Sequence, residues 1–213
     1  MTGSAQQLPT RRECRRQDRH DAILAVAAQY FFDHGYGGTT MSAIAAAMGG
    51  SKGTLWSYFR SKEELFEAVI DKETSEFRAR LSTILDPCGD LRQTLQRFCE
   101  GLIERVTSPR AIALHRLVVG EAGRSPEVGQ IFYKRAPKLT FELLGGFLSG
   151  AMDREQLQRD DPVIAARLLL TMCMAGSHQK MLMGIIEEAT PDTIVQDVER
   201  ALDFFFSRYG TGA

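Results

Sequence analysis

Lys52, Thr54, Trp56, Ser57 and Tyr58 fall within one short segment, Lys52-Gly53-Thr54-Leu55-Trp56-Ser57-Tyr58-Phe59. On a helix, Leu55 and Phe59 stand four apart and share the inward face, which leaves the others on outer faces. That outer set suits a nucleic-acid duplex. Lys52 supplies charge at the helix start, and the Thr54 and Ser57 hydroxyls can bond a phosphate or a base edge. Gly53 lets the backbone approach closely, while Trp56 and Tyr58 each pair an apolar body with a donor. Trp56 and Tyr58 either stay on that face or pack against neighbouring helices; the spacing allows both. Catalytic chemistry finds no comparable grouping. His20, His34, His115 and His178 are scattered, and neither a metal-ligand spacing, a glycine-rich phosphate loop nor a Ser/His/Asp arrangement is legible. The reading is therefore of a non-enzyme with no cofactor and no metal.

The neighbouring residues are those needed to hold such a helix in place. Thr40, or Thr39 beside it, is a good N-cap for a preceding short helix. Ile44, Ala45 and Met48 form its packing stripe, and Ala43, Ala46 and Ala47 keep it slim. Gly49-Gly50 makes a turn, and Ser51 can cap the segment that begins at Lys52. The next helix opens with Ser61-Lys62-Glu63-Glu64, a capping box from Ser61 to Glu64. Its first N–H groups, with Lys62, form a natural phosphate clamp. This is the layout of a helix-turn-helix.

From about Asp18 to Ile70 the chain resembles the DNA-binding domain of the TetR family of bacterial transcriptional regulators. The resemblance is carried by Phe31/Phe32, Gly35-Tyr36, Thr39-Thr40, Ile44-Ala45, Ser51-Lys52-Gly53-Thr54-Leu55, Tyr58-Phe59 and Ser61-Lys62-Glu63-Glu64-Leu65. Two residues depart from the family pattern: Gly50 where the turn usually ends in an apolar residue, and Trp56 in place of the usual Tyr. The resemblance implies that Thr40, Lys52, Thr54, Trp56, Tyr58 and Lys62 touch DNA, mostly at phosphates, with Lys52 and Thr54 reaching base edges. Thr39, Ser51, Gly53 and Ser57 complete the expected DNA-binding set. The arginines between Arg11 and Arg19 either reach the adjacent minor groove or backbone, or remain solvated.

Charge is distributed to match. The net charge of the 213 residues is −1, yet Met1 to Lys62 holds eight basic residues against four acidic ones, and the remainder 18 against 23. A basic head on an acidic body is the asymmetry of a DNA reader with a separate sensing or pairing domain. Cys14, Cys88, Cys99 and Cys173 show no C-x-x-C pairing, which fits a reduced cytosolic chain. The stretch Ala22 to Phe32 is interrupted by Gln29 and flanked by Asp21 and Asp33, so it reads as an amphipathic helix rather than a secretion signal. No run of about 18 uncharged apolar residues suggests a membrane partner.

The expected fold is all-α, with about nine helices: Asp18–His34, Thr40–Met48, Lys52–Phe59, Lys62–Asp86, Asp90–Thr107, Pro109–Ala122, Pro126–Met152, Pro162–Gly184 and Pro191–Tyr209. Ser108-Pro109, Ser125-Pro126, Asp161-Pro162 and Thr190-Pro191 each place a capping side chain before a proline, which marks a helix start. Pro137 is expected to kink or split the seventh helix. The domain reading is a flexible basic tail over 1–17, a helix-turn-helix domain over 18–66 and a helical effector and dimerisation domain over 67–213.

The run Arg116-Leu117-Val118-Val119-Gly120-Glu121-Ala122-Gly123-Arg124-Ser125-Pro126-Glu127 is similar to AefR-like members of the family. That resemblance implies a pocket enclosed by the middle helices and a dimer made by the last two. Pocket candidates are Phe98, Leu102, His115, Phe132, Phe141, Met172 and His178, with ordinary core packing as the alternative for each. The segment Pro162–Gly184 is apolar nearly all round, and the last helix carries apolar residues on more than one face. Both features favour a homodimer, with Ala165, Leu169, Met172, Gly176, Val198, Leu202 and Phe205 at the interface. The expected partners are a double-stranded, near-palindromic DNA operator, a second copy of the chain and a small apolar effector that releases DNA. A regulator controlled by a protein partner or by abundance is the alternative.

Overall fold

The computed structural model describes residues 10–49 and 52–211, with the Lys52 side chain left out. Among them it has eleven helices: α1 (Arg11–Gly38), α2 (Met41–Ala47), α3 (Lys52–Tyr58), α4 (Lys62–Ile84), α5 (Leu91–Val106), α6 (Pro109–Ala122), α7 (Pro126–Arg135), α8 (Pro137–Asp153), α9 (Pro162–Met174), α10 (Ser177–Leu182) and α11 (Pro191–Tyr209). Among the described residues, extended backbone pairs at an isolated bridge between Leu157 and Gly210. No described helix is long and apolar enough to cross a membrane.

The capping chemistry explains most boundaries. Ser108 Oγ accepts from the Ala111 N–H, Asp161 Oδ1 from those of Val163 and Ile164, and Thr190 Oγ1 from that of Thr193. Each satisfies an N–H with no partner inside its helix, while the following proline needs none. Ser125 is the exception and makes no such bond.

Two boundaries differ from expectation, and one expected break is present. First, α1 begins at Arg11 instead of Asp18, so residues 11–17 of the expected tail are helical. Thr10 and Glu13 form a reciprocal capping box there, Thr10 N–H to Glu13 Oε2 at 2.7 Å and Glu13 N–H to Thr10 Oγ1 at 3.3 Å. Second, Pro137 does split the seventh helix, into α7 and α8. The Arg135 carbonyl at the end of α7 accepts from Arg78 Nη1 at 3.0 Å. Third, the expected helix Pro162–Gly184 is two, α9 and α10, separated at Gly176 (φ −90°, ψ −110°). The Ser177 N–H donates to Asp197 Oδ2 at 2.7 Å, and a methyl group on Gly176 would fall 2.1 Å from Asp197 Oδ1. Glycine is what allows α11 to reach the start of α10.

The chain divides into two compact units between Val69 and Ile70, inside α4. In the first, Ile23, Ala27 and Phe31 of α1 are buried together with Tyr36, Ile44, Leu55, Phe59 and Phe66. In the second, α5, α8, α9 and α11 close around Leu95, Phe98, Leu144, Leu148, Leu169 and Leu202. Cys99 and Cys173 lie against each other in this core, and a hydrogen bond with Cys173 and then burial push the Cys99 thiol well above its ordinary range.

Phe98 is fully buried in this core. Phe98→Ala is expected to destabilise the second unit by about 3–5 kcal/mol, measured as a shift in its urea unfolding transition.

Candidate functional site: a DNA-reading face and an apolar cavity

The first site is built around Tyr36. Gly35 adopts φ 71°, ψ 172°, a conformation that glycine alone enters cheaply, and this breaks the helical run of α1 just before Tyr36. The Tyr36 ring stacks on Phe31 (5.8 Å between centroids) and meets Phe66 of α4 edge-on (5.2 Å). Lys62 Nζ lies 4.1 Å from the same ring centroid and donates to the Tyr36 carbonyl at 2.8 Å. The Tyr36 hydroxyl donates to Glu63 Oε1 at 3.2 Å. Hydrogen bonds from the Ser61 hydroxyl and the Glu63 backbone N–H, helped by the Tyr36 hydroxyl and Lys62, hold the Glu63 carboxyl below its ordinary range.

Thr39 belongs to this framework, which corrects its assignment as a DNA contact. It is 1% exposed, and its hydroxyl hydrogen-bonds the carbonyls of Tyr30 and Gly35 at 3.0 and 2.7 Å. Thr40 is the cap: exposed, with Oγ1 accepting from the Ala43 N–H at 3.1 Å. The Ser61 capping box forms with a variation. Glu64 N–H bonds Ser61 Oγ at 3.1 Å, but the Glu64 carboxylate reaches one residue further back, to the Arg60 N–H at 2.7 Å.

Leu55 on α3 and Phe59 immediately after it are 3% exposed, and Trp56 on α3 is 48% exposed. Gly53 and Ser57 are also exposed, and Ser57 Oγ donates to the Thr54 carbonyl at 2.7 Å. Thr54 and Tyr58 are half-buried. Tyr58 packs against His20 of α1 (6.4 Å between centroids), which also tilts over Phe59 at 5.2 Å. His20 is a positioning contact that the sequence did not single out, because it stands outside the apolar stripe of α1. Gly50 and Ser51 lie outside the described residues, as does the side chain of Lys52. Lys62 is half-buried, and its bond to Tyr36 uses one of three ammonium hydrogens.

The second site is a cavity of about 300 Å³ within the second unit, enclosed by the later half of α4 and by α5 to α10. Its wall is mostly apolar and includes Leu102, Phe132, Phe141, Leu170 and Met174. His115 of α6 and His178 of α10 also line it, with Nδ1 of the first 3.3 Å from Nε2 of the second. Of the expected pocket residues, Leu102, His115, Phe132, Phe141 and His178 stand on this wall. Phe98 and Met172 do not; Met172 packs, half-buried, against the core. One stretch of the wall is charged. Arg110 grips Glu73 with two hydrogen bonds, at 2.6 and 2.9 Å, while Arg105 donates to the Glu73 carbonyl at 2.9 Å.

The expected interface residues need a correction. Ala165, Leu169, Val198, Leu202 and Phe205 are at most 1% exposed within the chain itself, so they form its core and offer no surface to a second copy. Gly176 is occupied by its contact with Asp197. The uncovered apolar residues of these helices are Val163, Ile164 and Leu168 on α9 and Phe204, 71% exposed, on α11.

Residues 23–69 match the family described as bacterial regulatory proteins, tetR family, and residues 93–211 match the AefR-like transcriptional repressor C-terminal domain. The chain is a member of the TetR family of transcriptional regulators. That family is one of regulators and not of enzymes. Among curated relatives, YhgD of Bacillus subtilis is 29% identical over 87 residues, 41% of this chain and 46% of that one. QacR of Staphylococcus aureus is 38% identical over 80 residues, 38% of this chain and 43% of QacR. The chain thus matches under half the length of either. Among solved structures, the flavonoid-responsive regulator FrrA superposes with a TM-score of 0.78 at 30% identity, covering 92% of this chain and all of FrrA.

Burial, and then the proximity of His115, pushes the His178 imidazole down from 6.5 to about 4, and burial lowers His115 as well. The folded chain thus resists a proton that the unfolded chain accepts. The stabilisation is complete above about pH 6.5 and is lost as pH falls toward 4. Urea midpoints of the second unit should decline over that window, and His178→Phe should make the decline shallower.

Proposed function

We propose that this TetR-family member is a ligand-responsive repressor that binds a near-palindromic operator as a homodimer. Each copy lays α3 in the major groove, and two-fold symmetry spaces the two helices by roughly one helical turn of DNA, 34–36 Å. The observation that carries the reading is the asymmetry of α3. Its apolar anchors Leu55 and Phe59 are buried, while Trp56, Ser57 and Gly53 form an uncovered face. Thr40, Thr54, Tyr58 and Lys62, with Lys52 and Ser51, are the further contacts on this reading, and Thr39 positions the turn beneath them.

The AefR-like match over the second unit supports repression. The apolar cavity supports a small-molecule effector, as does the likeness to a regulator described as flavonoid-responsive. A molecule in the cavity touches Phe77 and Arg78 of α4, the helix whose first turn carries Lys62. It releases DNA only if it binds the operator-bound form less tightly than the free form. For the dimer, the uncovered apolar residues Ile164, Leu168 and Phe204 are the surface that a second copy would bury.

Binding of a promoter fragment, followed by fluorescence anisotropy between 50 and 200 mM salt, tests the contact assignment. Lys52→Ala and Lys62→Ala should each weaken binding and reduce the log–log salt slope by about one unit. An unchanged slope would take that lysine off the list of phosphate contacts. In the same assay Leu168→Glu combined with Phe204→Glu should abolish tight binding, with a monomer seen by sedimentation and helicity retained.

A further inference from the structure

The His115–His178 pair is a polar feature of the cavity wall that no ion pair among the described residues accounts for. The two rings come from different helices, 63 residues apart, and approach at 5.2 Å between centroids. His178 is 5% exposed, and the Phe132 ring lies 5.6 Å from that of His115. Each ring spends one nitrogen on the other, and neither makes a further hydrogen bond among the described residues. Both rings line the cavity.

Resting on the reading of this cavity as an effector site, we propose that the pair recognises the hydroxyl of an uncharged, phenol-like ligand whose apolar body fills the rest of the space. The chemistry of two facing imidazoles leads there. One ring nitrogen must donate to the other, so the pair always leaves one N–H and one bare nitrogen on its outer sides, in either tautomer. A hydroxyl both donates and accepts, so it can pair with either position. A methyl ether accepts only, and weakly. A carboxylate can only accept, so it engages the one N–H and faces the bare nitrogen with a charge; matching both positions would take a further proton on the pair, which burial opposes in both rings. The remaining titratable and charged groups on the wall are Glu73, Arg78, Arg105, Arg110 and Tyr133. Glu73 is held by Arg110 and Arg105, whereas Arg78 donates to the Arg135 carbonyl. On α6, Arg110 precedes His115 by five residues, about 7.5 Å of helix rise. An anion would therefore seek the arginine stretch and leave the histidines unmatched. Leu102, Leu114, Phe141, Leu170 and Met174 offer the body of the ligand an apolar, partly aromatic surround.

The test uses three matched probes, 4-pentylphenol, 4-pentylanisole and 4-pentylbenzoate, titrated calorimetrically into the full chain at pH 7 in two buffers of different ionisation enthalpy. The phenol should bind about tenfold more tightly than the anisole, the equivalent of one well-made hydrogen bond. Its heat should be the same in both buffers, showing that no proton is taken up. His178→Phe should reduce the phenol-to-anisole ratio to near one while the anisole still binds, and His115→Phe serves as a second variant for the same readout. Equal affinity for phenol and anisole in the unaltered chain overturns the hydroxyl assignment and leaves the effector cavity standing. Tighter binding of the benzoate also overturns it, and moves recognition to the arginines. Binding of none of the three overturns both the assignment and the reading of the cavity on which it rests.

Discussion

The reading face of the first unit depends on one buried contact, the wedge of Tyr36 between Phe31 and Phe66. Tyr36 is 1% exposed and sits where the chain leaves α1, so its ring fixes how the following turn and α2 depart from α1 and α4. Ring pairs of this kind contribute about 0.5–1.5 kcal/mol each beyond the area they bury. The backbone around the ring is tied as firmly. Gly35 supplies the left-handed step, Thr39 binds the carbonyls of Tyr30 and Gly35, and Lys62 holds the Tyr36 carbonyl from α4. Polar groups on two sides and an aromatic cluster beneath make the turn rigid. On the proposed reading rigidity matters, because base-edge recognition tolerates little error in the placement of α3.

The second unit is organised on a different constraint, the break at Gly176. A continuous helix would carry His178 on along the α9 axis. The break lets α10 start anew, with its first N–H on Asp197 and its end tied to α6, where Arg116 donates to the carbonyls of Met181 and Leu182. His178 is thereby brought beside His115 on the wall of the cavity. The same packing leaves α9 with two unlike faces. Ala165, Leu169 and Cys173 close the core, while Ile164 and Leu168 remain uncovered.

Much of this was legible in the sequence, and the failures share a cause. The reading element announced itself because Thr40, Gly49, Leu55, Phe59 and Ser61 each perform a local job with a local signature. Helix starts at Ser108, Asp161 and Thr190 were legible for the same reason. The extension of α1 back to Arg11 was not, because residues 11–17 are polar and exposed and so leave no apolar stripe, although Thr10 and Glu13 held the capping pattern. The break at Gly176 lay hidden in a run that stays apolar on both sides, and its partner Asp197 is distant in sequence. The interface residues were misassigned because apolar periodicity marks the face a chain buries in itself before it marks a face for a partner. Thr39 and Thr40 are chemically alike, and only the geometry of the Gly35 turn sends one inward and the other out.

A DNA-reading surface on α3 is tested most directly by equilibrium binding of the purified full chain to duplex DNA from its own promoter. It should be compared with random fragments of equal length at about 0.15 M salt, where specific and non-specific affinities separate by roughly a thousandfold or more. A DNA-reading α3 predicts a preference of that order for the promoter, reached only by the dimer and diminished by substitution of Trp56. Equal affinity for promoter and random fragments by the intact dimer would contradict it.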